Sequence, residues 1–110
     1  MEETREATGK LLRYKVHHIQ GHPSMLAVSD EELLGKRFEE GDLVIEVNKE
    51  LYDGELATEA QVASLMKSYD IVIIVGDRSV GLAKELGLIS EESVLRVGGT
   101  PHVQIFKFRY

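Results

Sequence analysis

Two short runs carry residue types suited to holding an anion. Gly76-Asp77-Arg78-Ser79 follows the apolar run Ile71–Val75 and opens a helical pattern, and Gly98-Gly99-Thr100-Pro101-His102 follows the expected strand Val94–Val97. A helix N-terminus offers unpaired amides and a partial positive charge, an arginine adds a fork of donors, and paired glycines shape a nest of backbone N–H groups. The sequence therefore assigns candidate anion- or ligand-binding roles to Gly76, Arg78, Ser79, Gly98, Gly99, Thr100 and His102. The first run has a plainer reading as well, since Asp77 or Ser79 is a good helix N-cap and Asp77 repels a phosphate. Neither run is a Walker loop or a G-x-G-x-x-G fingerprint. Asp-Arg-Ser-Val-Gly carries Asp77 where a nucleophile elbow requires glycine, so no catalytic residue is assigned.

Other chemistry is sparse. With no cysteine the chain has no disulfide, no thiol catalysis and no thiolate metal site. His17 and His18 point to opposite sides of an extended strand, and His18 and His22 stand about 13 Å apart at strand rise, too far to share a metal unless the turn folds them together. No metal and no cofactor is assigned. The carboxylates between Asp30 and Glu55 fall in caps, turns and helix starts, and read as solvated surface.

Net charge is −6, which disfavours a protein held on nucleic acid by its overall field. Its distribution is uneven. Residues 30–59 carry eleven acids against Lys36, Arg37 and Lys49, whereas Lys10, Arg13 and Lys15 in residues 9–25, and Arg96, Lys107 and Arg109 in residues 94–110, have no acid among them. If the terminal strands are neighbours, they form a positive patch on an acidic body. Asparagine occurs once and glutamine three times among many charges, a composition of the heat-adapted type.

The elements that must position these residues follow from periodicity. Residues 1–12 form a charged extension without apolar pattern, and residues 13–110 are expected to make one α/β domain. Tyr14–Ile19 and Met25–Val28 flank the turn formers of residues 20–24 and predict a hairpin. Ser29-Asp30-Glu31-Glu32 matches a capping box before a single helical turn. Leu43–Val47 alternates as a strand. Thr58 and Gln61 open a helix to about Tyr69, with Val62, Leu65, Met66 and Tyr69 on one stripe. Ile71–Val75 lacks polar alternation and so predicts a strand covered on both sides. A second helix ends at Gly87, Val94–Val97 is a strand, and Val103–Tyr110 is the last. Strand, helix, strand, helix, strand implies two consecutive βαβ units with parallel strands at 43–47, 71–75 and 94–97, in a mixed sheet with an N-terminal hairpin, a C-terminal strand and two main helices. Co-directional strands deliver both glycine turns to one rim.

The ordered series AVSDEELLGKRFEEGDLVIEV, YDGE, VGDRSVGLAKELGLI and VLRVGGTPHVQI resembles the archaeal domain-of-unknown-function family 424, over nearly everything from Tyr14 to Phe106. That resemblance implies a small archaeal α/β protein without an established reaction, in a role close to translation or RNA metabolism. The family pattern takes in Gly76, Arg78, Ser79, Gly98, Gly99, Pro101 and His102.

These observations point to a non-enzymatic, cytoplasmic accessory module that docks an anionic partner such as RNA or a ribonucleoprotein, with no membrane contact. Two alternatives stay open: a binder of, or enzyme acting on, a small phosphorylated ligand at the strand ends, and a protein-binding or homodimerising module.

Overall fold

In the computed structural model, residues 11–18 and 20–107 are described. Residues 1–10 of the expected 1–12 extension and the expected strand ends at Ile19 and residues 108–110 lie outside them, whereas Leu12, assigned to that extension, opens the first strand and is buried because its side chain is apolar and packs in the core. Strands β1 (Leu12–His17) and β2 (Met25–Asp30) form the expected antiparallel hairpin, in register from Leu12 opposite Asp30 to His17 opposite Met25. A 3-10 turn at Glu31–Leu33 follows, without a side-chain cap. The capping box expected there does not form, because the Ser29 hydroxyl donates to the Asp30 carbonyl (2.8 Å).

Next come β3 (Arg37–Glu40) and β4 (Leu43–Glu46), antiparallel to each other. A four-residue helix, α1 (Lys49–Tyr52), is capped by the Asn48 side chain, which accepts from the Leu51 amide (2.8 Å). The short β5 (Glu55–Ala57) then pairs antiparallel with β1. Gly54 permits that return, since a Cβ there would lie 2.1 Å from the Tyr14 carbonyl oxygen. The longer helix α2 (Glu59–Ser68) starts at the Thr58/Gln61 capping box as the sequence predicts. Strand β6 (Ile71–Val75), helix α3 (Asp77–Glu85), a 3-10 turn at Glu91–Ser93, and strands β7 (Leu95–Val97) and β8 (Thr100–Phe106) complete the order.

The result is a mixed α/β architecture with a six-stranded sheet of order β5-β1-β2-β6-β8-β7 and a separate two-stranded sheet, β3-β4. The hairpin, the C-terminal strand and the two main helices are as expected, and β6 is central. The two consecutive βαβ units are not. The parallel partner of β6 is β2, not residues 43–47, and β8 lies antiparallel between β6 and β7. Residues 43–47 leave the main sheet because only Ile45 and Val47 are apolar and buried, while Leu43 and Val44 stay exposed; such a segment covers a sheet better than it joins one. The tight turn at Gly98-Gly99 returns β8 onto the free edge of β6, which keeps β7 co-directional with β6 but one strand removed.

Both faces of the sheet are covered, by different means. Leu26, Val28, Val72, Ile74, Val103 and Ile105 pack against Val62 and Met66 of α2 and Val80, Leu82 and Ala83 of α3. On the other face Ala27, Ile73, Val75 and Val97 meet Ile45, Val47 and Tyr52. Burial of each Val, Leu, Ile or Met side chain among them stabilises the fold by about 1.5–3 kcal/mol. No helix among the described residues is long and apolar enough to cross a membrane.

Candidate functional site

Despite the changed strand order, the two glycine turns meet. The Gly76 amide donates to the Pro101 carbonyl (2.9 Å), and Val75 stands opposite His102. The end of β2 joins them, since Ser29 pairs with Val75 and places Asp30 beside Gly76. The rim expected from chain direction is therefore built by β2, β6 and β7 together.

What fills it was not expected. The Asp30 carboxylate, 2 % exposed, accepts from the Ser79 amide (2.8 Å), the Ser79 hydroxyl (2.7 Å) and the Arg78 amide (3.1 Å). It sits at the N-terminus of α3 in the position a bound anion takes. Gly76 is the helix N-cap and makes no side-chain cap, so neither Asp77 nor Ser79 has the capping role suggested by its place in the sequence. With φ of 112°, and a Cβ that would stand 2.3 Å from Asp30 Cγ, Gly76 admits the carboxylate only because it is glycine.

Arg78 points away from this cradle. Its guanidinium forms a two-pronged pair with Glu32 (2.8 and 3.0 Å) and donates to the Leu11 carbonyl (3.2 Å). The hydrogen bond from Arg78 holds the Glu32 carboxyl below its ordinary pKa, and the same bond raises that of Arg78. Ser79, wholly buried and donating to Asp30, is a structural hydroxyl and not an exposed nucleophile.

The second turn also meets a carboxylate, through one exposed hydrogen bond. The Gly98 amide donates to Glu40 Oε1 (2.8 Å), so β3 supplies a carboxylate to the nest of β7. Gly99, also at positive φ, completes the turn, and Thr100 is buried opposite Val97. His102 lies on β8 between Val75 and Leu95, where burial pushes its pKa below the usual imidazole value. It borders a surface concavity of about 330 Å³ lined by Ser93, Leu95, His102, Val103 and Gln104.

The basic terminal strands do not merge. β1 and β8 are separated by β2 and β6, about 14 Å at ordinary strand spacing. Arg13 pairs with Glu31 (2.7 and 3.0 Å) and Asp53 (3.2 Å), Lys15 donates to the Glu50 carbonyl (3.0 Å), and Arg96 pairs with Glu91 (3.1 Å). Lys107 donates to the Met66 and Lys67 carbonyls (2.8 and 3.1 Å) at the end of α2, where a cation complements the helix dipole. Lys10 and Arg109 lie outside the described residues. Among the described residues no cluster of three or more His, Asp or Glu side chains could hold a metal. His17 instead bonds the Leu51 carbonyl (2.8 Å), and His18 bonds Ser24 (2.9 Å).

Sequence reasoning thus found the two turns and missed their occupants, Asp30 and Glu40. No local signal could have supplied them, because Asp30 is 48 and 49 residues from its partners and Glu40 is 58 residues from Gly98. The concavity, too, joins Ser93 and Leu95 to β8 only through pairing.

Residues 17–108 match the family described as Protein of unknown function (DUF424). An uncharacterised conserved protein from Methanopyrus kandleri has a similar structure, with a TM-score of 0.75 at 22 % sequence identity over 91 % of this chain and 96 % of that one. At that identity the likeness is one of fold. No curated protein matches the sequence.

Proposed function

The chain belongs to the DUF424 family of proteins of unknown function, and from that premise we propose that it is a non-enzymatic accessory module that docks another protein. The observation that carries this reading is the self-occupied rim. Both amide cradles that suited a phosphate hold carboxylates of the chain itself, Asp30 and Glu40, and Arg78 is committed to Glu32. An anionic ligand at either turn must displace a bonded carboxylate and meet its charge. The cations of β1, together with Arg96 and Lys107, are likewise bonded within the fold, which removes the support that RNA docking drew from them. Exposed apolar side chains remain beside the concavity: Leu95 and Phe106 share the face of His102 and Gln104.

Affinity capture from native cells, with and without nuclease, tests the reading. A protein partner retained after nuclease and lost with Leu95→Asp bait is the expected result. Partners that vanish on nuclease treatment would restore RNA docking, and capture unaffected by Leu95→Asp would move the docking surface elsewhere.

A further inference from the structure

The strand edge beside the concavity shows what kind of protein segment fits. In an antiparallel sheet the N–H and C=O of one residue point to the same side of the strand, and those of the next residue point to the other. On β8 the Pro101 carbonyl accepts from Gly76 and the Lys107 amide donates to the Asp70 carbonyl (2.8 Å), so the odd-numbered residues face β6. His102, Gln104 and Phe106 therefore turn their peptide groups outward. His102 is met by Leu95 of β7, but β7 pairs no further. Upstream of Leu95 the chain folds away into the 3-10 turn, where the Ser93 amide donates to the Ser90 carbonyl (3.0 Å) and the Val94 amide to the Glu91 carbonyl (3.1 Å). Gln104 and Phe106 are left with outward N–H and C=O groups and no strand beside them among the described residues. The concavity lies where β7 departs, between Ser93 and Gln104.

We infer that the open edge of β8 at Gln104–Phe106 receives an extended segment of a partner protein, laid antiparallel to β8 in line with β7, with one uncharged side chain of that segment in the concavity. This rests on the protein-docking reading above. Main-chain pairing satisfies the outward groups of Gln104 and Phe106, and exposed Leu95 and Phe106 flank the added strand on one face. Charge selects the occupant. Ser93, Leu95, Val103 and Gln104 carry no charge, and the depressed pKa of His102 keeps its imidazole neutral near pH 7, so a charged side chain there loses its hydration without a counter-charge. A second copy of this chain brings another net charge of −6 against the first, a repulsion that an uncharged segment does not meet.

Panning a phage-displayed random peptide library on the purified full chain, followed by amide exchange read by NMR with the selected peptide, tests this. In the free protein the Gln104 and Phe106 amides exchange quickly while those of Val103 and Ile105 are protected. The expected result is that the selected peptide protects Gln104 and Phe106 and that Phe106→Lys, a change at an exposed position, weakens it at least about tenfold. Enrichment of a peptide that protects amides elsewhere overturns the edge while leaving protein docking in place. Gln104 and Phe106 amides already protected in a dimer seen by light scattering overturn it in favour of self-pairing. No enrichment, with a nuclease-resistant partner captured by the same protein, overturns an extended segment as the occupant.

Discussion

Replacing Asp30 with alanine removes one carboxylate that organises the ends of two elements. In the native fold it accepts from the Arg78 amide, the Ser79 amide and the Ser79 hydroxyl, and it is buried with Ser79. Alanine leaves those donors facing a small gap. A buried donor without a partner costs about 1–3 kcal/mol, and loss of a helix cap by itself costs about 1 kcal/mol. The three donors are not additive, because the Arg78 amide is only part-buried and water can reach it, so the loss is about 3–4 kcal/mol. At about 4 °C per kcal/mol for a domain of this size, the melting temperature followed by circular dichroism falls by about 12–16 °C. The variant also vacates an anion cradle, so phosphate should raise the melting temperature of Asp30→Ala more than that of the wild type, by linkage. A fall corresponding to less than about 1 kcal/mol would refute the reasoning, for the carboxylate would not be what satisfies the start of α3.

Three further outcomes follow from the same geometry. Gly76→Ala places a Cβ 2.3 Å from Asp30 Cγ at a φ of 112°, and should destabilise by about 2–4 kcal/mol in urea unfolding; a neutral result would mean that the turn relaxes freely. Hydrogen bonds from Arg13 and Arg78 lower the pKa of Glu31 and Glu32, so their contribution is present above the ordinary carboxyl value of 4.5 and is lost as pH falls through the depressed folded values. Glu32→Gln should flatten the acid limb of melting temperature against pH, and an unchanged limb would remove the pair from the account. Burial raises the Tyr52 hydroxyl to about 12, so its contribution is complete below 10.0 and fades as pH rises toward that folded value. Ultraviolet titration of Tyr52→Phe against the wild type should delete a phenol that titrates at about 12, and an unchanged titration there would contradict the burial.

How much of this was legible in the sequence depended on whether the signal was local. The unbroken apolar run of β6, the Thr58/Gln61 capping box and the halt of α3 near Gly87 are written within a few residues, and each took its expected form. Strand β3 was not seen because Phe38 is the only apolar residue in Arg37–Glu40, so nothing alternates there. Helix α1 is a single turn fixed by Asn48, too short for a periodicity. Strand order failed for a different reason. The sequence signals direction through crossovers, but not which edge β8 will take, and a two-glycine turn is what let β8 fill the place beside β6. Both candidate turns were placed correctly on one rim, yet their chemistry was decided by carboxylates from β2 and β3, to which no local motif points.

The position of β8 also orders the events of folding. During synthesis β6 and β7 emerge before the strand that belongs between them, and among the described residues β7 has no sheet partner other than β8. Until residues 100–106 arrive, β6 presents an unpaired apolar border and β7 has its packing on β3 and β4 but no strand to pair with, so this half of the molecule waits for its latest-made strand. A shortened chain ending at the glycine turn would lack Val103 and Ile105 beneath α2 and α3 and would offer β6 to any extended neighbour. A complete chain closes that gap itself.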